Sequence, residues 1–208
     1  MTVPRGTQTQ ALADALAQVG DKHARLAALT RLLLAEIDPD PTRTGLDDTP
    51  RRVADMWCTF SQYDAGRTDT TFEHESDQMV MLGGLRVWSL CEHHLLPFYC
   101  DLAIAYIAED RVIGLSKLAR IAAKHAHRLN LQEGLVTRIA TEVEQVTGSP
   151  NVAVMAIGEH LCMTMRGARA PGLMLSTKLR GVFKDDDAAR AEFYQLARLA
   201  GMAHDPPR

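Results

Sequence analysis

Residues 79–107 read MVMLGGLRVWSLCEHHLLPFYCDLAIAYI. Two apolar runs, 79–91 and 98–107, are rich in β-branched, aromatic and aliphatic residues, a composition typical of strands. They flank a short polar segment that ends in a proline, so residues 91–96 are predicted to form the bend between the two strands. We therefore expect an antiparallel strand pair with a Cys-Glu-His-His cluster at its tip.

Composition excludes several classes of protein. The 208 residues suit one domain with a core and an appended helical segment, and the net charge of −3 argues against a nucleic-acid partner. Neither an apolar run long enough for a membrane span nor a signal peptide is evident, which predicts a cytoplasmic protein without membrane contact. The four cysteines, Cys58, Cys91, Cys100 and Cys162, would stay reduced there, which favours metal binding or catalysis over disulfides.

The order of predicted elements is helices, two strands, two helices, strands and a final helix. This order indicates an α+β fold with an antiparallel sheet. Leu26, Leu29, Leu33 and Ile37 recur at spacings of three and four, which predicts a helix over about 21–37. We place a tail and helical segment at 1–48 and the main domain at 49–208. Residues 162–166 are expected to begin a strand antiparallel to a strand over 152–157.

Cys91 and His94 offer a thiolate and an imidazole three residues apart, and Cys162 adds a second thiolate. These are ligands that zinc prefers. Three protein ligands with an open position are typical of catalytic zinc, whereas structural zinc normally has four. Cys100, His93 or His160 could fill a fourth position, and the cysteines could instead be small buried hydrophobes.

His93 and His160 each lie within two residues of a predicted ligand. Imidazole changes charge near neutral pH, so both are candidates for proton transfer beside a metal. The alternative for each histidine is a hydrogen bond to the backbone.

Basic residues suggest an anion site. Lys117 and Arg120 share a helix face, and Ser116 lies near the predicted start of that helix, where free amides attract phosphate. Arg166 follows the second cluster, and Arg52 lies near the start of another helix. The alternative is a solvated basic surface. Glu133 pairs with Asn130 as a predicted capping box, or else accepts hydrogen bonds from a purine-type edge.

Several longer stretches occur in a definite order: SLCEHHLLPF (89–98), VIGLSKLARI (112–121), RLNLQE (128–133) and HLCMTMRG (160–167), followed by GVF (181–183) and EF (192–193). In these stretches the chain resembles the GTP cyclohydrolase I family, from about residue 45 to about residue 200. The resemblance implies a tunnelling fold: an antiparallel sheet with two helices packed on it, preceded by N-terminal helices. It also implies a ring barrel of several subunits, a homodecamer of two stacked pentamers, with the catalytic domain at 49–208.

The resemblance implies zinc-dependent hydrolysis of the guanine imidazole ring of GTP at C8. Formate is released and 7,8-dihydroneopterin triphosphate forms, a step of tetrahydrofolate biosynthesis and one-carbon metabolism. Cys91, His94 and Cys162 would bind Zn²⁺, and His93 and His160 would transfer protons. The resemblance also implies that Gln132 and Glu133 bind the guanine. The residues that would bind the triphosphate are Ser116, Lys117, Arg120, Arg166 and Arg52.

The chain departs from the family pattern at Asp55, Cys100, Asp101 and Gly134. None of these positions coincides with a predicted metal ligand or proton-transfer histidine. Two alternative functions stay open: a paralogous cyclohydrolase with a different end product in modified-purine or pterin biosynthesis, or a non-enzymatic nucleotide-binding zinc scaffold.

Overall fold

The computed structural model describes residues 10, 13–74 and 77–202. The chain divides into two compact units, residues 1–63 and 64–208. The limit at residue 48 that we expected for the catalytic domain stays a prediction. No helix of the described residues is both long and apolar enough to cross a membrane.

The described part of the N-terminal unit contains α1 (Lys22–Ile37), a 3₁₀ turn (Thr44–Leu46) and α2 (Thr49–Ser61). Asp21 caps α1 by accepting from the amide of Ala24. Within this unit α1 buries Ala27 and Thr30. The helix predicted over about 21–37 is confirmed, and its residues Leu29 and Leu33 are 37% and 57% exposed in the single chain.

The C-terminal unit contains β1 (Thr71–Glu73), β2 (Met79–Cys91), β3 (Pro97–Ile107) and β4 (Arg111–Ile113), then α3 (Leu115–Ala126), β5 (Leu129–Asn130) and α4 (Gln132–Thr147). It continues with β6 (Val152–His160), α5 (Leu161–Thr164), β7 (Met174–Leu179), α6 (Val182–Asp185), α7 (Asp187–Ala197) and a π turn (Arg198–Met202). The mixed α and β architecture and the two predicted central strands are confirmed.

The main sheet has the strand order β5-β2-β3-β6-β7. The pairs among β2, β3, β6 and β7 are antiparallel, and the short β5 pairs parallel to β2. A bulge at Gly83 and Gly84 shifts the register between β2 and β3. Gly84 has a φ of 70°, and an added Cβ would lie 2.8 Å from the Ala200 carbonyl, so the C-terminal turn packs closely against this bulge.

Two apolar layers cover the sheet. On one face α3 and α4 bury Leu118, Ile121, Leu135 and Ile139 against the strands. On part of the other face α7 buries Phe193 with a second set of strand residues. Fully buried Leu and Ile side chains of this kind each contribute about 1.5–3 kcal/mol to folding. The result is an antiparallel sheet with two helices on one face, consistent with a tunnelling fold.

Candidate metal centre and active site

The sheet register brings the two predicted clusters together. Phe98, near the start of β3, lies opposite Ser89 on β2 and opposite His160 on β6. Cys91 lies two residues after Ser89, and Cys162 lies two residues after His160. Because β2 and β6 both run antiparallel to β3, their ends meet at the same edge of the sheet.

Cys91 and His94 lie on a tight turn after β2. The amide of Cys91 donates to the carbonyl of Leu96, and the amide of Leu95 donates to the carbonyl of Cys91, both at 2.8 Å. Leu95 has a φ of 56°, a left-handed conformation that is uncommon for a residue with a side chain. This turn directs Cys91 Sγ and His94 Nδ1 toward each other at 3.8 Å.

Cys162 lies in the one-turn helix α5, directly after β6. Residues 162–166 do not begin a strand; the antiparallel neighbour of β6 is β7. The expected strand was therefore wrong, and the helical turn instead aims the Cys162 side chain toward the turn after β2. Burial and a hydrogen bond with Cys91 raise the pKa of the Cys162 thiol above its ordinary value.

The ligand atoms of Cys91, His94 and Cys162 all lie within 4.8 Å of one another. Ligands on one tetrahedral zinc lie about 3.5–3.8 Å apart, given bonds of about 2.3 Å to sulfur and about 2.0 Å to nitrogen. Two sulfurs and one imidazole at this spacing fit such an ion with little movement. Cys91 is buried, whereas His94 is exposed, so the site opens to solvent on the imidazole side.

Cys100 is not a fourth ligand in this arrangement. It is fully buried in the core, where its Sγ lies 3.4 Å from Gln132 Oε1. Burial raises the pKa of this thiol to about 12, which disfavours the thiolate that a metal requires.

His160 is fixed on two sides. Its ring stacks on Phe98 with centroids 4.3 Å apart and planes at 7°, and its Nε2 lies 2.9 Å from Gln132 Oε1. Burial lowers the pKa of His160, and the negative charge of Glu133 opposes part of that shift. His93 is exposed on the turn, with its ring centroid 6.1 Å from that of His94.

Glu133 is an exposed residue in the first turn of α4. The predicted capping box was wrong, because Leu131 occupies the cap position and Asn130 is buried instead. The Asn130 amide donates to Ser89 Oγ at 2.8 Å and to the His125 carbonyl at 2.9 Å. Asn130 therefore ties the chain before α4 to β2, and the Glu133 carboxylate is left outside any cap.

Three basic side chains lie near carbonyls or the metal ligands. Lys117 Nζ donates to the Arg67 carbonyl at 3.1 Å, and Arg120 Nη1 donates to the Ala65 carbonyl at 2.6 Å. Ser116 lies in the first turn of the same helix, α3. Arg166 lies 2.7 Å from His94, which places this guanidinium beside the predicted metal ligands.

Arg52 belongs to the N-terminal unit, where its Nη2 lies 3.3 Å from Asp48, the residue just before α2. Asp55, one of the departures from the family pattern, lies beside a histidine and an arginine of this unit. His23 Nε2 lies 2.8 Å away and Arg51 Nη1 lies 2.9 Å away. A contact between Arg52 and phosphate stays a prediction.

Two contributors to the site could not be found from the sequence. Phe98 stacks on His160, and Ser176 accepts a hydrogen bond from Gln132 at 3.0 Å. Only the pairing of β3 with β6 and of β6 with β7 reveals these contacts. The Pro-Phe pair after the histidine cluster was the one signal available for Phe98.

Comparison with known proteins gives one consistent result. A family model described as GTP cyclohydrolase I matches residues 26–198. The GTP cyclohydrolase 1 of Hyperthermus butylicus is 42% identical over 174 residues, which cover 83% of this chain and 90% of that protein. The proteins of the same name from Alkalilimnicola ehrlichii and Deinococcus radiodurans are each 41% identical over 180 residues, covering 84% and 83% of this chain and 97% and 83% of theirs.

Proposed function

Because the chain belongs to the GTP cyclohydrolase I family, we propose that it hydrolyses the imidazole ring of GTP at C8. The products are formate and 7,8-dihydroneopterin triphosphate, which serves pterin and folate biosynthesis. The observation that supports this reaction best is that Cys91, His94 and Cys162 converge close in sequence to His160, whose imidazole is hydrogen-bonded to Gln132. A metal site next to a base suits hydrolysis of a heteroaromatic ring.

Cys91, His94 and Cys162 would hold Zn²⁺. Bound zinc with an open position lowers the pKa of a water ligand to about 7 and so supplies a nucleophile at neutral pH. Two thiolates and one imidazole form a donor set that zinc prefers over magnesium or calcium. The burial of Cys91 and the exposure of His94 leave the substrate side of the site open.

His93 and His160 are the proton-transfer residues of this proposal. Burial lowers the pKa of His160 and so favours the neutral ring, the form that can take a proton from the attacking water. His93 is exposed on the turn that carries Cys91 and His94. In this proposal it protonates the ring nitrogen as the C8–N bond breaks. The two residues thus supply one base and one acid.

Glu133 anchors the guanine edge. Its carboxylate is exposed at the start of α4, it is free of the predicted cap, and its charge acts on His160. A carboxylate accepts both hydrogens of a paired N–H edge such as that of guanine. Its position near His160 would place the imidazole half of the purine over the metal ligands.

Ser116, Lys117, Arg120 and Arg166 bind the triphosphate, with Arg52 as a further contact. Lys117 and Arg120 project from the first turns of α3, where main-chain amides also favour anions. Each charged contact of this kind contributes about 1.5–3 kcal/mol. Several together hold GTP while the ring reacts.

We further propose a homo-oligomer, a decamer of two pentamers, in the cytoplasm. The exposed apolar side chains of α1 support assembly, since Leu32, Leu33 and Ile37 are 59%, 57% and 67% exposed in the single chain. Large exposed apolar side chains of this kind are typical of protein interfaces. Native mass spectrometry of the purified protein tests the subunit count.

Incubation of the zinc-loaded protein with GTP, followed by mass spectrometry, tests the reaction. We expect consumption of GTP and formation of dihydroneopterin triphosphate. Loss of GTP with a different nucleotide product would contradict the proposal and indicate a paralogous cyclohydrolase. Binding of GTP without turnover would instead indicate a nucleotide-binding scaffold.

A further inference from the structure

Gln132, the first residue of α4, is fully buried. Its Oε1 lies 2.9 Å from His160 Nε2 and 3.4 Å from Cys100 Sγ. Its Nε2 lies 2.9 Å from the Met174 carbonyl, 3.3 Å from the Ala156 carbonyl and 3.0 Å from Ser176 Oγ. Every polar atom of the amide therefore has protein partners.

These partners fix which way the amide points. The two main-chain carbonyls of Ala156 and Met174 only accept hydrogen bonds, so the NH₂ group must face them. The carbonyl oxygen of Gln132 then faces His160 and the Cys100 thiol. An amide oxygen only accepts, so His160 Nε2 must carry a hydrogen.

The tautomer of His160 follows from this contact. In the neutral ring with hydrogen on Nε2, Nδ1 holds the free lone pair. The stack on Phe98, 4.3 Å away at 7°, prevents the ring from leaving this plane. The side-chain amide of Gln132 thus has its hydrogen bonds taken by protein groups, so we assign the side-chain contact with guanine to Glu133.

We propose that Gln132 is a positioning residue that fixes the orientation and tautomer of His160, so that Nδ1 exchanges protons with the substrate. This inference rests on the proposed function for the identity of the substrate. In the reaction, Nδ1 takes a proton from the attacking water while Nε2–H remains bound to Gln132. The ring returns to its starting tautomer when Nδ1 releases that proton to solvent water.

The tautomer can be measured without turnover. In zinc-loaded protein carrying ¹⁵N-histidine, nitrogen chemical shifts distinguish an N–H nitrogen from a lone-pair nitrogen, and the His160→Asn variant identifies the signals of His160. We expect hydrogen on Nε2 in the wild type and a mixture of tautomers in Gln132→Met. Ser176→Ala is the matched control: it removes one partner of the Gln132 amide but leaves the His160 contact, so its tautomer should match the wild type.

Kinetics provide the second measurement. Gln132→Met should lower kcat by about 100-fold through misplacement of the imidazole, with KM for GTP within about threefold of wild type. Hydrogen on Nδ1 of wild-type His160 would overturn the proposal, as would a Gln132→Met variant with raised KM and unchanged kcat. If Gln132→Met fails to fold, the wild-type and Ser176→Ala spectra still decide the tautomer. A wild type with hydrogen on Nε2 but without GTP turnover would refute the proposed function alone.

Discussion

Arg166 Nη1 lies 2.7 Å from His94 Nε2. Guanidinium only donates hydrogen bonds, so Nε2 is the acceptor in this contact. The other ring nitrogen, Nδ1, faces Cys91 Sγ at 3.8 Å and is the nitrogen directed at the metal position. A neutral imidazole that binds metal through Nδ1 carries its hydrogen on Nε2, and such a nitrogen cannot accept from Arg166. Metal ligation through Nδ1 and this contact therefore exclude each other, and ligation would free Arg166 for phosphate.

Arg166→Ala should therefore leave zinc affinity unchanged or slightly increased. It should raise KM for GTP by about 10- to 100-fold, since a charged contact contributes about 1.5–3 kcal/mol. Competition with a chromophoric chelator gives the zinc affinity, and initial rates give KM. Arg169→Ala, a nearby exposed arginine, serves as the control for lost surface charge. Weakened zinc binding in Arg166→Ala alone would contradict this account.

His93 and His94 are neighbours with different expected roles. His94→Ala should lose bound zinc, because it removes a ligand atom from the three-residue site. His93→Ala should retain zinc and lower kcat by about 100- to 10,000-fold, the usual contribution of a general acid or base. Metal analysis of each purified variant separates the two outcomes. Loss of zinc from His93→Ala would show instead that His93 is a ligand.

Removal of zinc should change which cysteines react with a thiol reagent. If Cys91 and Cys162 bind zinc as thiolates, chelation should make both reactive toward iodoacetamide. Cys100 should stay unlabelled in either state at pH 8, because burial raises its pKa to about 12. Peptide mapping by mass spectrometry identifies the modified residues. Protection of Cys91 and Cys162 that survives chelation would refute a metal site at these residues.

Gly158 and Gly134 differ in how much space an added Cβ would have, so their alanine variants should differ in stability. A Cβ at Gly158 would lie 2.5 Å from Gln132 Oε1 and 2.6 Å from the Tyr99 carbonyl, and a sheet backbone cannot move aside easily. Gly158→Ala should therefore destabilise the fold by about 1–3 kcal/mol.

At Gly134 a Cβ would meet the end of the Arg138 side chain, at 3.0 Å, and no backbone atom. Gly134→Ala, within α4, should stabilise by up to about 1 kcal/mol, because alanine favours the helix. Thermal unfolding midpoints of the two zinc-loaded variants should move in opposite directions. An equal decrease in both would mean that the space around Gly158 is not as tight as the structure shows.

The local elements near the site followed from the sequence. The apolar runs that predicted the two central strands are long, and the bend between them carries a proline and four polar residues, so β2 and β3 agree closely with expectation. The convergence of Cys91, His94 and Cys162 was also expected from ligand chemistry. These features depend on residues near each other in sequence or on a strong shared chemical preference.

Features that depend on distant partners could not be predicted. The Asn130–Glu133 spacing matches a capping box, but the Asn130 amide bonds instead to Ser89, which is 41 residues away. Gln132 lies beside Glu133 in sequence, yet its side chain points into the sheet and toward His160. In both cases tertiary hydrogen bonds outweigh the local pattern, because a buried amide must satisfy all its polar atoms.

We propose that this metal centre opens the imidazole ring of GTP at C8. The most direct measurement uses GTP labelled with ¹³C at C8 and follows the zinc-loaded protein by ¹³C NMR, with pterin quantified in the same sample. We predict that the label appears as formate in amounts equal to dihydroneopterin triphosphate, and that Cys162→Ser forms neither. Label retained in a purine, or equal turnover by Cys162→Ser, would contradict the account.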